Sequence, residues 1–184
     1  MALTPSNPFA VGTLAPDFTL IDTVTNHHVS LKNLKGEVGT VVMFICNHCP
    51  YVVRINQLLV EVANQFIPLG ISFIAISSND IQKYPQDSPH LMKKVAVELE
   101  YPFPYLFDED QKTARSYNAA CTPDFYLFDK KLQTVYHGQF DESSPNNSIP
   151  LSGKHLKEAM NRLINSQEPI EEQLPSIGCS IKWK

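Results

Sequence analysis

The chain has 184 residues, with 15 Lys plus Arg against 19 Asp plus Glu and a formal net charge of -4. That length suits one domain, residues 1–184, burying its own core without disulfides or a structural metal. The acidic balance excludes the basic face that a nucleic-acid partner needs, and no stretch approaches the roughly 18 to 20 apolar residues that cross a bilayer.

Residues 1–16, with Pro5, Pro8, Gly12 and Pro16, read as an irregular arm that lacks the basic start and apolar run of a secretory signal. A cytoplasmic protein without membrane partners is expected. Phe18–Ile21 and His28–Leu31 are short candidate strands around a hairpin turn. Thr40–Ile45 is an unbroken β-branched and aromatic run, suited to a central strand buried on both faces. In the next segment Ile55, Leu58, Leu59, Val62 and Phe66 mark one face of a helix that Pro68 and Gly70 end. Ile71–Ser77 is a second buried strand, so strand, helix and strand form a βαβ unit with parallel strands.

Beyond a polar loop, Ser78–Pro89, a helix is predicted over Pro89–Glu100 with Leu91, Val95 and Leu99 facing inward. Tyr105–Phe107 reads as extended and Glu109–Tyr117 as a short helix. Asp124–Phe128 and Thr134–Gln139 alternate as an antiparallel pair. A last helix starts at Ser152 or Gly153. The tail, residues 167–184, carries Leu174, Ile177, Cys179, Ile181 and Trp183, apolar surface that is costly to leave in water, so it is expected to pack on the body.

The four cysteines fall at 46, 49, 121 and 179. Cys46-Asn47-His48-Cys49 sits where a buried strand hands over to a helix, where free backbone N–H groups and the helix dipole favour an anion. Pro50 fits a first helical turn. These features predict an exposed, low-pKa nucleophile at Cys46 and a resolving thiol at Cys49, with His48 and Asn47 between them and His48 favouring the thiolate. C-x-x-C also serves zinc sites, which leaves a soft-cation or redox-sensing module using Cys46, Cys49 and His48, with Cys121 as a further candidate ligand, as an alternative; the expected chemistry needs no metal and no cofactor.

Ala15-Pro16-Asp17-Phe18 with Leu20, then Leu31 to Gly36, a buried strand and Cys46 to Pro50 resemble the thioredoxin-like redoxins of the alkyl-hydroperoxide-reductase and thiol-specific-antioxidant superfamily. Ile76 to Asp80, Tyr84 to Pro89, Cys121-Thr122-Pro123-Asp124-Phe125 and Pro175 to Cys179 narrow the resemblance to one bacterial subfamily with a Cys-Asn-His-Cys-Pro motif. The resemblance implies an α/β thioredoxin-like fold: a central mixed sheet of four or five strands flanked by helices, an N-terminal hairpin extension and a C-terminal tail packed on the body. It also implies that Thr122-Pro123 is a cis-proline turn facing Cys46, whose Thr122 backbone can pair with an extended substrate.

Two departures matter. Thioredoxins carry a buried carboxylate six residues before the first cysteine, where this chain has Thr40. Peroxiredoxins place Thr or Ser three residues before the peroxidatic cysteine and Pro four further back; those positions hold Met43 and Gly39 before Cys46, and Cys46 and Val42 before Cys49. The expected function is a thiol–disulfide oxidoreductase acting on a protein or small-molecule disulfide or thiol, coupled to an upstream thiol reductant or oxidant. A peroxide-reducing antioxidant protein is the enzymatic alternative. Cys121 and Cys179 read first as small packing residues, with a second redox or metal pair as the alternative; Arg54 reads first as a solvated helix residue, with a contact for a substrate carboxylate as the alternative.

Overall fold

The computed structural model describes residues 3–184; Met1 and Ala2, the start of the predicted arm, lie outside the described residues. In chain order the strands and helices are β1 (Leu3–Pro5), β2 (Thr19–Asp22), β3 (His28–Ser30), α1 (Leu31–Leu34), β4 (Gly39–Phe44), α2 (Pro50–Phe66), β5 (Ile71–Ser77), α3 (Pro89–Glu98), β6 (Tyr105–Phe107), α4 (Lys112–Ser116), β7 (Cys121–Thr122), β8 (Asp124–Asp129), β9 (Thr134–Gly138), α5 (Lys154–Ile164) and β10 (Ile177–Ser180). The arm is not wholly irregular: β1 is a strand, because β10 offers it an edge.

The main sheet has seven strands in the order β3-β2-β6-β5-β4-β8-β9, more than the four or five expected. The surplus is the β2–β3 hairpin, which extends the β6 edge. β4, β5 and β6 run parallel and the other pairs antiparallel, so the sheet is mixed. The βαβ unit is β4-α2-β5.

Alternation along the central strands sends side chains to two cores. Val41, Met43, Phe73, Ala75, Phe125 and Leu127 face α2, α3 and α5. Val42, Phe44, Ile74, Ile76, Tyr126 and Phe128 face α1 and α4, where Tyr117 anchors an aromatic cluster. Helices on both faces of a mixed sheet make this a thioredoxin-like α/β fold. In α3 the inward residues are Met92 and Ala96, one position on from the predicted Leu91 and Val95, which lie at the helix margin. Pro89 at the helix start and the landing of α3 on β6 set that rotation, which the mixed apolar pattern of Leu91 to Ala96 left open.

A second, three-stranded sheet, β1-β10-β7, is built from the two chain ends and the segment before Pro123. Cys179 lies opposite Thr122 and Ser180 opposite Cys121. The tail therefore packs on the body as a strand. Gly178 makes this approach possible, since a Cβ there would overlap the carbonyl oxygen of Thr122.

Candidate active site

β4 ends at Phe44, and Ile45 still donates its N–H to Ile76 at 3.0 Å. The chain then turns through Cys46 to His48 before α2 starts at Pro50, with Cys49 as N-cap. The helix start therefore addresses Cys49 rather than Cys46, one turn later than expected. Pro50 explains the shift, because it is pre-organised for the first helical position and cannot donate an N–H.

Both cysteines are buried, Cys46 at 1% exposure and Cys49 at 0%, so the expected exposed nucleophile is not found at Cys46. The Thr122-Pro123 peptide bond is cis and faces them. Cys46 Sγ lies 3.4 Å from Thr122 Oγ1, and Cys49 Sγ 3.2 Å from the Thr122 carbonyl oxygen. Cys179 Sγ lies 2.9 Å from Cys49 Sγ. Cys46 and Cys49 thus share Thr122, and Cys49 also has the Cys179 thiol beside it.

The charge distribution places the low pKa at Cys49 rather than at Cys46. A hydrogen bond from the Cys46 thiol holds Cys49 down at about 5, against burial and with help from the Cys179 thiol and the backbone N–H groups of Val52 and Cys179. The helix start assists without closing a capping bond. The Thr122 carbonyl opposes an anion there, but two S–H and two N–H neighbours outweigh one acceptor. Cys46 is pushed well above the usual thiol range by donating to Cys49, by burial and by the nearby Asp87 carboxylate. Burial and the bond to Cys49 push Cys179 up to about 12.

Asp87, in the loop after β5, is the residue that the sequence reading missed. It is fully buried. Its Oδ1 accepts the N–H of Asn47 at 2.9 Å and of His48 at 3.4 Å; its Oδ2 accepts from Asn79 Nδ2 at 2.8 Å and meets His48 Nδ1 at 2.6 Å. This one carboxylate fixes the Asn47-His48 loop. Asn47 adds a bond from its Nδ2 to the Gln86 carbonyl and accepts from the Tyr105 hydroxyl. His48 turns to Asp87 and stacks on Tyr84 with ring centroids 5.5 Å apart, so it positions the loop instead of donating to a cysteine. Cys46, His48 and Asp87 also place one donor atom each within 4.8 Å of one another, so these three are the residues that could hold a soft cation together.

The remaining candidates fall elsewhere. The Thr122 backbone edge expected to receive substrate is already paired with Cys179 of β10. Cys121 is buried one residue out of register, its thiol 3.9 Å from the carbonyls of Pro123 and Ser176, and burial pushes it far up as an acid. Cys121 and Cys179 are therefore not brought together as a thiol pair; alternation along the paired strands turns them to opposite faces, and Cys179 meets Cys49. Arg54 donates to the Ile149 carbonyl on the surface. A cavity of about 250 Å³ opens on the other side of the tail, lined among others by Tyr51, Pro123, Ser176 and Ile177.

Residues 11–137 match the model of the AhpC/TSA family. This chain belongs to the AhpC/TSA family. The protein is similar over its whole length to an uncharacterized conserved protein from Geobacillus kaustophilus, at 52% identity, TM-score 0.98 and 97% coverage of that chain. It also resembles a hypothetical protein from Sinorhizobium meliloti 1021, at 39% identity and TM-score 0.95, covering 98% of each chain. The thioredoxin domain of a thiol-disulfide oxidoreductase from Bacteroides vulgatus shares the fold at 22% identity and TM-score 0.59, over 71% of this chain and 89% of that one. No curated protein matches.

One thiolate in this AhpC/TSA protein is expected to titrate far from the rest. Ultraviolet thiolate absorbance of the reduced protein should rise by one thiolate per chain near pH 5, the value at Cys49, and by no more until well above the ordinary value of 9.0. Cys49→Ser should remove that step, and Cys179→Ala should move it up by deleting the side-chain donor to Cys49. Because the Cys49 value is lowered on folding, its contribution to stability is present above pH 9 and is lost as the pH falls through about 5. Cys46 and Cys179 act oppositely, contributing below pH 9 and losing that contribution as the pH rises through their folded values. The reduced protein should therefore be most stable near pH 9, read by denaturant midpoint. A first thiolate appearing only near pH 9 would overturn the assignment.

Proposed function

We propose that this protein is a thiol–disulfide oxidoreductase that cycles Cys46 and Cys49 between dithiol and disulfide. The observation that carries the reading is the placement of both thiols against the cis Thr122-Pro123 turn, with Cys46 Sγ 3.4 Å from Thr122 Oγ1 and Cys49 Sγ 3.2 Å from the Thr122 carbonyl oxygen. In the oxidising direction a substrate thiolate attacks Cys46 Sγ, the Cys46–Cys49 bond breaks, and its electron pair leaves on Cys49. A second substrate thiolate attacks the substrate sulfur of the mixed disulfide and releases Cys46, which takes up a proton. Two substrate thiols become one disulfide; Cys46 ends as a thiol, Cys49 as a thiolate, and one proton goes to solvent. The reverse sequence reduces a substrate disulfide.

A leaving thiol with a low pKa departs faster, which assigns Cys49 the leaving role. Stabilising the reduced form also makes the disulfide more oxidising. The potential is expected above that of thioredoxin, about -270 mV, with the Cys49 thiolate as its cause in place of the charge first ascribed to His48. Equilibration against glutathione and its disulfide, with the free thiols counted, measures it. A potential at or below thioredoxin's would overturn the reading.

The occupied Thr122 edge favours a small thiol or disulfide over an extended polypeptide, because β10 must leave before a peptide can pair there. The peroxide-reducing alternative is less well supported. A cation that would polarise a peroxide at Cys46 has no source among the arginines: Arg54 binds the Ile149 carbonyl, Arg115 lies over Trp183 and Arg162 pairs with Glu158.

A further inference from the structure

Cys179 is the reactive group that the two-cysteine cycle leaves unused. It sits on β10, which is held on one side by β1 and on the other by β7, so its place beside Cys49 is fixed by backbone pairing on both edges. Its sulfur is 2.9 Å from Cys49 Sγ, although 130 residues separate the two in sequence. Closing that gap to a disulfide of about 2.05 Å requires only a small shift of two side chains. The strand itself lies antiparallel to Thr122 where an extended disulfide-bearing substrate would lie. In geometry the tail is a substrate strand supplied by the chain.

We propose that Cys179 is a third redox-active thiol, which exchanges with Cys46 for the disulfide bond to Cys49. The proposal rests on the oxidoreductase reading above and adds an internal partner to it. The first disulfide, Cys46–Cys49, forms at the expense of an external low-molecular-weight disulfide. Cys179 loses its proton and attacks Cys49 Sγ. The Cys49–Cys179 bond forms, the Cys46–Cys49 bond breaks, and the electron pair leaves on Cys46, which takes up the proton. No net oxidation accompanies this step; the disulfide moves from the loop side of Cys49 to the tail side. Cys46 is then a free thiol while the chain still holds its oxidising equivalent. Cys121 takes no part, because its thiol faces the carbonyls of Pro123 and Ser176.

The test uses the full chain with Cys121→Ser as parent, together with Cys46→Ser and Cys179→Ser made in that parent. Each is equilibrated with glutathione disulfide, alkylated, and mapped by mass spectrometry, with circular dichroism to check folding. Cys46→Ser should lose both alkylatable thiols and give a linked Cys49–Cys179 peptide; the parent should give both linkages, and Cys179→Ser only Cys46–Cys49. A folded Cys46→Ser chain that keeps two free thiols, or carries glutathione on Cys49, overturns the proposal. If that variant does not fold, the parent decides, and a map without a Cys49–Cys179 peptide at any glutathione ratio overturns it. A folded Cys179→Ser chain unable to form Cys46–Cys49 is a different failure, that of the oxidoreductase reading itself.

Discussion

Replacing Asp87 by alanine is expected to destabilise the reduced protein by about 3–5 kcal/mol, the usual cost of removing one partner from a buried ionic cluster. The carboxylate is fully buried and faces two backbone N–H groups, an amide and an imidazole. Without it the half-buried backbone N–H groups of Asn47 and His48 lose their acceptor, and part of the penalty of an unmade buried bond falls on each. In a chain of this size the midpoint of thermal unfolding should fall by roughly 6–20 °C. Asp87→Asn separates two roles of the group. It keeps one acceptor oxygen for the loop but removes the negative charge that helps to hold Cys46 protonated. The milder variant should therefore cost less stability and lower the Cys46 value, readable as faster alkylation of Cys46 at neutral pH. A midpoint for Asp87→Ala within about 2 °C of the parent would show that water replaces the carboxylate.

Gly178→Ala is expected to lift the tail from the active site. The added Cβ would overlap the Thr122 carbonyl and stand 3.2 Å from Pro123 N, and these are backbone atoms that no rotamer change can move. Overpacking of this kind costs about 1–3 kcal/mol. Here the chain can relieve it by withdrawing β10, so the cost becomes a population of open molecules. Alkylation of Cys49 should accelerate by roughly 5- to 150-fold, the same free energy expressed as an equilibrium ratio. The main sheet should be untouched, since β10 belongs to the separate three-stranded sheet. An unchanged alkylation rate in a folded variant would mean that β10 does not limit access to the thiols.

The parts of this site that were legible in the sequence are those set by neighbours along the chain. Cys46 and Cys49 could be placed at a strand-to-helix junction because Thr40–Ile45 and Ile55–Phe66 carry clear periods of their own. Thr122-Pro123 was reached through resemblance and lies where that implied. The details that failed depend on contacts between distant segments. Asp87 looked like one polar residue of a surface loop, and nothing near it in sequence says that it is buried under Asn47 and His48. The partner of Cys179 was not legible: the possible pair with Cys121 rested only on both lying in motifs of the resemblance, whereas strand register brings Thr122 opposite Cys179 and so turns the thiol to Cys49. The low pKa expected at Cys46 lies at Cys49 because Cys46 donates to it and because, with Pro50 as the first helical residue, the helix start addresses Cys49. The place of Asp87 within the Tyr84 to Pro89 motif, and a glycine just before the tail cysteine, were the available signals.

The pairing of β10 with β7 also has a consequence for how the protein is made. Cys49 and Cys179 are 130 residues apart, so a ribosome that has finished the β4-α2-β5 unit has yet to synthesise the strand that covers its thiols. At synthesis rates of about 5–20 residues per second, Cys46 and Cys49 wait on the order of ten seconds without that cover. During this interval the nascent chain offers a bare redox pair to any small disulfide present, and arrival of the last strand ends it.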